Sequence, residues 1–206
     1  MSGSHSRAER RVGFFGGSFD PPHIGHVFAS VYALSSGEVD EVWAAPVVHH
    51  AFEKQLTAFE HRVAMVRLAM APVANVEVSL VERDMPPPNY TLHTIERLVD
   101  AHPDTGFRVV VGADAIVDRG AWFGFERLVK LAPLLLLGRA GMELPSRKFG
   151  DAFDEFDPPP PAVLPEISSS EVRHWLRHRS SAHNDALRHY VPRAVLDYIA
   201  EHDLYR

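Results

Sequence analysis

Residues 12–26 read V-G-F-F-G-G-S-F-D-P-P-H-I-G-H. The apolar run at 12–15, closed by Gly16 and Gly17, predicts a buried strand ending in a glycine turn. A rigid Pro21-Pro22 step follows. Apolar residues at helical spacing over 24–34 then predict a helix that stops near Gly37. Strand, glycine turn and helix start in this order suit an anion. Glycines let backbone N–H groups approach a ligand closely, and the helix N-terminus carries partial positive charge. His23 and His26 are three apart, so both can face one side of the first turn. Neutral, they orient phosphate oxygens; protonated, they also offset charge. The plain alternative is a structural joint with two surface histidines.

The alternation continues outward. E-V-W-A-A at 41–45 reads as a second strand ended by Pro46. A helix is expected over 57–70, with Thr57 and Glu60 at the spacing of a capping box. A third strand at 76–81, a proline loop at 85–88 and a helix at 91–102 follow. A fourth strand at 107–111 is closed by Gly112, and a helix at 123–131 leads to a fifth strand at 134–137. Residues 138–165 concentrate proline and glycine and predict a long connection. Closing helices are expected at 168–177 and 191–202. The pattern is that of an α/β chain with a doubly wound, mostly parallel sheet of five or six strands. Ligands of such sheets bind outside the carboxyl ends of the strands, where strand order reverses. The chemistry is therefore expected after Phe15 and after Val111. Residues 1–11, polar and with three arginines, are expected to be a tail. Residues 12–206 form one domain whose C-terminal helical part spans about 168–206.

Composition narrows the function. Of 206 residues, 46% are apolar and 23% charged, enough for a globular core. The net charge of −6 disfavours a nucleic-acid-coating surface but leaves room for a local basic pocket. With no cysteine, a disulfide framework, a cysteine zinc site and a cysteine nucleophile are excluded, and a cytoplasmic setting fits. No stretch reaches the roughly 18 apolar residues of a membrane span. Thirteen histidines raise the question of a transition metal, but His49-His50 and the His174/His178 pair lack a clear third ligand. A homo-oligomer is compatible with all of this.

As a unit, G-G-S-F-D-P-P-H-I-G-H resembles the signature of the nucleotidyltransferase superfamily marked by an H-x-G-H motif. Within it, the chain is most similar to the bacterial nicotinate-nucleotide adenylyltransferases, in matching order over about 11–206. The stretch at 167–173, I-S-S-S-E-V-R, resembles the family's I-S-S-T-x-x-R with Ser170 for Thr. Gly112-Ala113-Asp114 with Trp122 eight residues on, Tyr90-Thr91-Leu92-His93-Thr94, and the 191–205 segment follow the family's order. One loop departs from it. Where the family shows a proline-rich stretch ending in His-Lys, residues 46–54 read P-V-V-H-H-A-F-E-K, which aligns Lys54 with the family's lysine.

The resemblance implies a Rossmann-like nucleotidyltransferase that joins ATP and nicotinate mononucleotide into the dinucleotide, releasing pyrophosphate. It implies His23, His26, Lys54 and Arg173 at the transferring phosphates. Gly16, Gly17, Ser18, Phe19, Gly25, Gly112, Asp114, Ser168, Ser169 and Ser170 would hold ATP. Tyr90, Thr91, Thr94 and Trp122 would hold the acceptor, with Trp122 stacked on the pyridine. Mg²⁺ would arrive on the ATP phosphates, with no dedicated carboxylate cage. Simpler readings stand beside these: the serines and Asp114 as helix caps, Trp122 as a core residue, Lys54 as a solvated loop lysine. Nicotinamide mononucleotide, pantetheine phosphate or another phosphate as acceptor, and a non-catalytic nucleotide-binding module, are the competing functions.

Overall fold

The structure is a computed structural model, and it describes residues 10–49, 55–112, 120, 122–138 and 164–206. Strands β1 (Arg10–Gly17), β2 (Glu41–Pro46), β3 (Val76–Val78), β4 (Thr105–Gly112) and β5 (Leu134–Leu137) form one sheet. Its order is β3-β2-β1-β4-β5, and every pairing is parallel. The helices between them are α1 (Ile24–Ser35), α2 (Phe59–Met70), α3 (Thr91–Ala101) and α4 (Phe125–Leu131); α5 (Ser169–Arg177), α6 (Ser181–Tyr190) and α7 (Arg193–Glu201) follow β5.

Side chains of a strand alternate between faces, so a strand covered on both sides is apolar throughout. In β5, Leu134 and Leu136 enter a core under α3 and α4, while Leu135 and Leu137 enter one beneath α1. In β4, Val109 and Val111 face the first core and Val110 the second. A third core joins α2 to α5, α6 and α7 through Met65, Val172, Leu187 and Val195. The helical C-terminal part is thereby docked on α2.

Several boundaries differ from the sequence reading. Arg10 and Arg11 are not tail but the first residues of β1, because their charges are met. Arg10 Nε donates to Glu41 Oε1 at 2.7 Å and Arg11 Nε to Asp40 Oδ2 at 2.9 Å. The capping box expected at Thr57 is absent: Ala58 caps α2 without a side-chain hydrogen bond. The Thr57 N–H instead donates to Asp20 Oδ2, and Glu60 accepts from Arg83. β3 stops at Val78, and Ser79 N–H makes the last bond to the Ala44 carbonyl. α4 starts at Phe125, not Phe123, because Gly124 before it is left-handed with φ 64°. Helix α6 escaped the sequence reading, since Leu187 is its single buried residue.

The chain lays β1, β2 and β3 outward, then returns to place β4 on the other side of β1. Strand order therefore reverses between β1 and β4. Gly17 and Gly112 end these neighbouring strands on the same carboxyl edge, as expected.

Candidate active site

A cleft of ≈ 640 Å³ opens at this edge. Ser18, Phe19, His23, Gly25 and His26 line it from the segment after β1, and Gly112 from the end of β4. Ser168, Ser169, Ser170 and Arg173 close it from α5. Gly16 and Gly17 belong to β1 itself, and the Gly17 carbonyl accepts from Val47 N–H at 2.9 Å. Lys54 and Asp114 lie outside the described residues.

His23 caps α1, and its backbone N–H donates to His26 Nδ1 at 3.2 Å. An accepting Nδ1 puts the proton of the neutral ring on Nε2. Burial, then the neighbouring His23, holds the His26 pKa well below the usual imidazole value. His26 is thus a neutral ring with one N–H to give, not a cation. The two imidazoles lie 3.9 Å apart between centroids. Phe19 packs against His26 at 4.8 Å and meets Phe15 edge-on at 5.5 Å. Phe19 is fully buried with φ 48°, a strained conformation for a large side chain that fixes the ring under His26. Gly25 allows this crowding, since a Cβ there would meet the His23 ring at 3.0 Å.

The start of α5 grips the same loop. Ser168 makes a capping box with Glu171: its Oγ accepts from the Glu171 N–H at 3.3 Å and its N–H donates to Glu171 Oε2 at 2.8 Å. Ser169 Oγ donates to the Pro21 carbonyl at 2.9 Å. Arg173 Nη1 donates to the Asp20 carbonyl at 2.6 Å, and its Nη2 to Ser170 Oγ at 3.1 Å. Two helix N-termini, of α1 and α5, therefore line one cleft together with a guanidinium. Their unfilled backbone donors and positive ends favour an anion.

The four expected acceptor residues gather elsewhere, at the starts of α3 and α4. Tyr90 caps α3 and stacks on Phe123 at 4.6 Å with 17° between planes. Thr91 opens α3, and Trp122 stands edge-on to Phe125 at 6.5 Å. Thr94 is fully buried, and its Oγ1 donates to Glu82 Oε1 at 3.1 Å. Its hydroxyl anchors Glu82 instead of facing an open pocket.

Arg62, Asn89 and Glu82 are among the buried polar residues that were missed. Arg62, 1% exposed, donates to the carbonyls of Thr57 (2.8 Å), Ser18 (2.9 Å) and Val47 (2.7 Å). It ties the turn after β1 to the loops after β2 and before α2. Its signal in the sequence is a charge within an otherwise apolar helix face. Asn89 Oδ1 accepts from His49 N–H at 3.2 Å. Glu82 Oε2 accepts from Val48 N–H at 3.3 Å.

Burial pushes the Glu82 carboxyl up to about 7, against the pull of its hydrogen bonds to Thr94 and Val48. A carboxyl raised in the folded state contributes stability that is fully present below the unfolded value, near 4.5, and lost as pH rises through about 7. His26, depressed, works the other way and costs stability as pH falls below its unfolded value, near 6.5. The difference between wild type and Glu82→Gln isolates the first effect. Unfolding free energy from urea titrations should fall from pH 5 to pH 8 on the order of 1–3 kcal/mol more steeply in wild type than in the variant. Equal slopes would contradict a raised Glu82.

The parallel sheet reverses strand order at an anion-binding cleft, and residues 14–175 match the family model described as cytidylyltransferase-like, which places the chain among the nucleotidyltransferases. Relatives span nearly the whole chain. Proteins of Anaeromyxobacter dehalogenans (36% identical over 202 residues, 96% of this chain and 97% of that one) and Myxococcus xanthus (35% over 196 residues, 95% and 94%) are each named "Probable nicotinate-nucleotide adenylyltransferase". So is one of Thermus thermophilus, 35% identical over 198 residues, 95% of this chain and 100% of that one. The chain belongs to the nicotinate-nucleotide adenylyltransferase family, within the cytidylyltransferase-like group. Among solved structures, Plasmodium falciparum nicotinic acid mononucleotide adenylyltransferase complexed with NaAD has the same fold. Its TM-score is 0.76 at 22% identity, over 95% of this chain and 97% of that one.

Proposed function

We propose that this chain transfers AMP from ATP to nicotinate mononucleotide, giving nicotinate adenine dinucleotide and pyrophosphate, in the biosynthesis of NAD. The observation that carries the reading is the cleft itself. Two helix N-termini, two histidines and Arg173 converge there, and no carboxylate is among the described lining residues. That is a site for a polyphosphate.

The acceptor's phosphate oxygen attacks the α-phosphorus of ATP in line. A P–O bond forms to that oxygen, and the bond from the α-phosphorus to the β-phosphate's bridging oxygen breaks. Pyrophosphate leaves with that electron pair. The nucleophile is already ionised near neutral pH, so no general base is required. Catalysis reduces to positioning and to stabilising charge on the α-phosphate and the leaving group. His26 gives its Nε2–H to the transferring phosphate, and His23 stands beside it. The N–H groups at the start of α5 and the Arg173 guanidinium hold the outer phosphates. Gly16, Gly17, Ser18, Phe19, Gly25 and Gly112 shape the cradle, and Asp114 orders the adenosine side. Lys54 brings a further cation. Tyr90, Thr91 and Trp122 hold the acceptor, with Thr94 acting beneath them through Glu82.

Mg²⁺, when bound, neutralises phosphate charge and eases departure of pyrophosphate. It would arrive on the ATP phosphates. Among the described residues, no group of three or more His, Asp or Glu is arranged to hold a metal. No described helix is long and apolar enough to cross a membrane. A cysteine-free chain suits a reducing cytoplasm, where we place the reaction.

The test is release of pyrophosphate from MgATP with a panel of acceptors: nicotinate mononucleotide, nicotinamide mononucleotide, pantetheine phosphate and none. Release is expected with nicotinate mononucleotide at rates well above the others. Release with none of them would leave a binding module, and release with another acceptor alone would reassign the substrate.

A further inference from the structure

Asp20 follows Phe19 in the turn that carries the histidines, and it is a buried carboxylate, 2% exposed. Its two oxygens are held by distant parts of the chain. Oδ2 accepts from the Thr57 N–H at 3.2 Å. Oδ1 accepts from the Tyr205 hydroxyl at 2.6 Å, across 185 residues of sequence. Tyr205 lies after α7, in a segment folded back by the Leu204 N–H on the Ile199 carbonyl at 3.1 Å. Two residues of this segment, Asp203 (φ 58°) and Tyr205 (φ 63°), take left-handed backbone. Tyrosine adopts that conformation only where its surroundings compel it. Here the ring packs into the core between α2 and the C-terminal helices, and the hydroxyl reaches Asp20.

We propose that Tyr205 is a positioning residue for the phosphate cleft: its hydroxyl fixes the Asp20 carboxylate and, through it, the 18–22 turn from which His23 and His26 project. Burial, then the hydrogen bond to Asp20, pushes the Tyr205 hydroxyl well above the usual phenol value, so it stays protonated and remains the donor. The bond is short and charge-assisted, the kind that adds geometric restraint as well as energy. The other ties on this turn, Arg62 on Ser18, Arg173 on Asp20 and Ser169 on Pro21, all grip backbone carbonyls. Among these ties on the 18–22 turn, Tyr205 and the Thr57 N–H are the ones that hydrogen-bond a side chain, that of Asp20, which the buried Arg62 guanidinium also attracts. The mechanism needs the histidines held to a fraction of an ångström, and a displacement near 1 Å costs up to about 10²-fold in rate.

The kinetic part of this proposal rests on the adenylyl-transfer reading, and the structural part does not. The test is therefore double, on the full chain. Amide exchange by mass spectrometry compares wild type, Tyr205→Phe and Asp20→Asn. In both variants, exchange over 18–26 and at Thr57 should quicken at least fivefold, with the amides of β4 and β5 unchanged. In Tyr205→Phe, kcat should fall about tenfold while KM for the acceptor stays within twofold. Tyr205→Phe in an Asp20→Ala background should cause no further fall, because the hydroxyl then has no carboxylate to fix. Unchanged exchange in the 18–26 turn would overturn the tether. Faster exchange with unaltered kcat, or full additivity with Asp20→Ala, would overturn the positioning role. A wild-type protein without turnover would refute the proposed reaction, and the exchange data would still decide the tether.

Discussion

Replacing His26 with alanine is expected to lower kcat by about 10²-fold or more, the scale of losing one preorganised donor to developing charge. The fold should survive, because the ring lines the cleft and its partners are Phe19 and His23 in the same loop. Thermal unfolding checks this independently of turnover. The hydrogen bond from His23 N–H to Nδ1 and the depressed pKa together define the ring's role: a neutral Nε2–H donor. A rate profile tests that assignment. With a neutral donor, kcat stays level as pH rises from 6.5 to 8. With a cationic imidazole it would fall over the same range. Near-normal turnover in a well-folded variant would remove His26 from the chemistry.

A preference for nicotinate over nicotinamide mononucleotide, by about 10²-fold or more in kcat/KM, is the second large effect. The two acceptors differ by a carboxylate against a neutral amide. Helix α3 begins at Tyr90 without a side-chain cap, so the N–H groups of its first turn stay available as donors. These donors and the helix dipole favour the carboxylate, and the amide's NH₂ would face them unmatched. Phe123, 52% exposed and stacked on Tyr90, extends the aromatic surface next to Trp122. Steady-state kinetics with both acceptors at fixed MgATP measure the ratio. Equal values, or a preference for the amide, would mean that no carboxylate-reading pocket is present.

What could be read from the sequence was local. Strand, turn and helix start follow one another directly up to His23, and their order alone placed the cleft at the β1 edge, although Gly16 and Gly17, expected in the turn, are the last residues of the strand. Gly112 could be matched to it because β4 repeats the same strand-and-glycine ending. The contacts that hold the cleft in shape are not local. Ser169 reaches Pro21 across 148 residues and Arg173 reaches Asp20 across 153. Spacing says nothing about such pairs. Thr57 shows the cost of reading a motif alone: its spacing to Glu60 fits a cap, yet its N–H is taken by Asp20. Glu82 was illegible because charged residues are ordinarily exposed, and Arg62 left only the faint mark of a charge on an apolar helix face. Both are buried here, each with hydrogen-bond partners from distant loops. Helix α6 was hard to read because it is polar overall and buries Leu187 alone, so its apolar stripe is thin.

The most direct measurement follows the phosphorus atoms of ATP in a reaction with nicotinate mononucleotide and Mg²⁺. With label on the α-phosphorus, all of it should appear in nicotinate adenine dinucleotide. With label on the β- or γ-phosphorus, all of it should appear in pyrophosphate, in equal molar yield. Label from the α-phosphorus recovered in AMP or ADP, with no dinucleotide formed, would show hydrolysis or transfer of a different group and would contradict adenylyl transfer at this cleft.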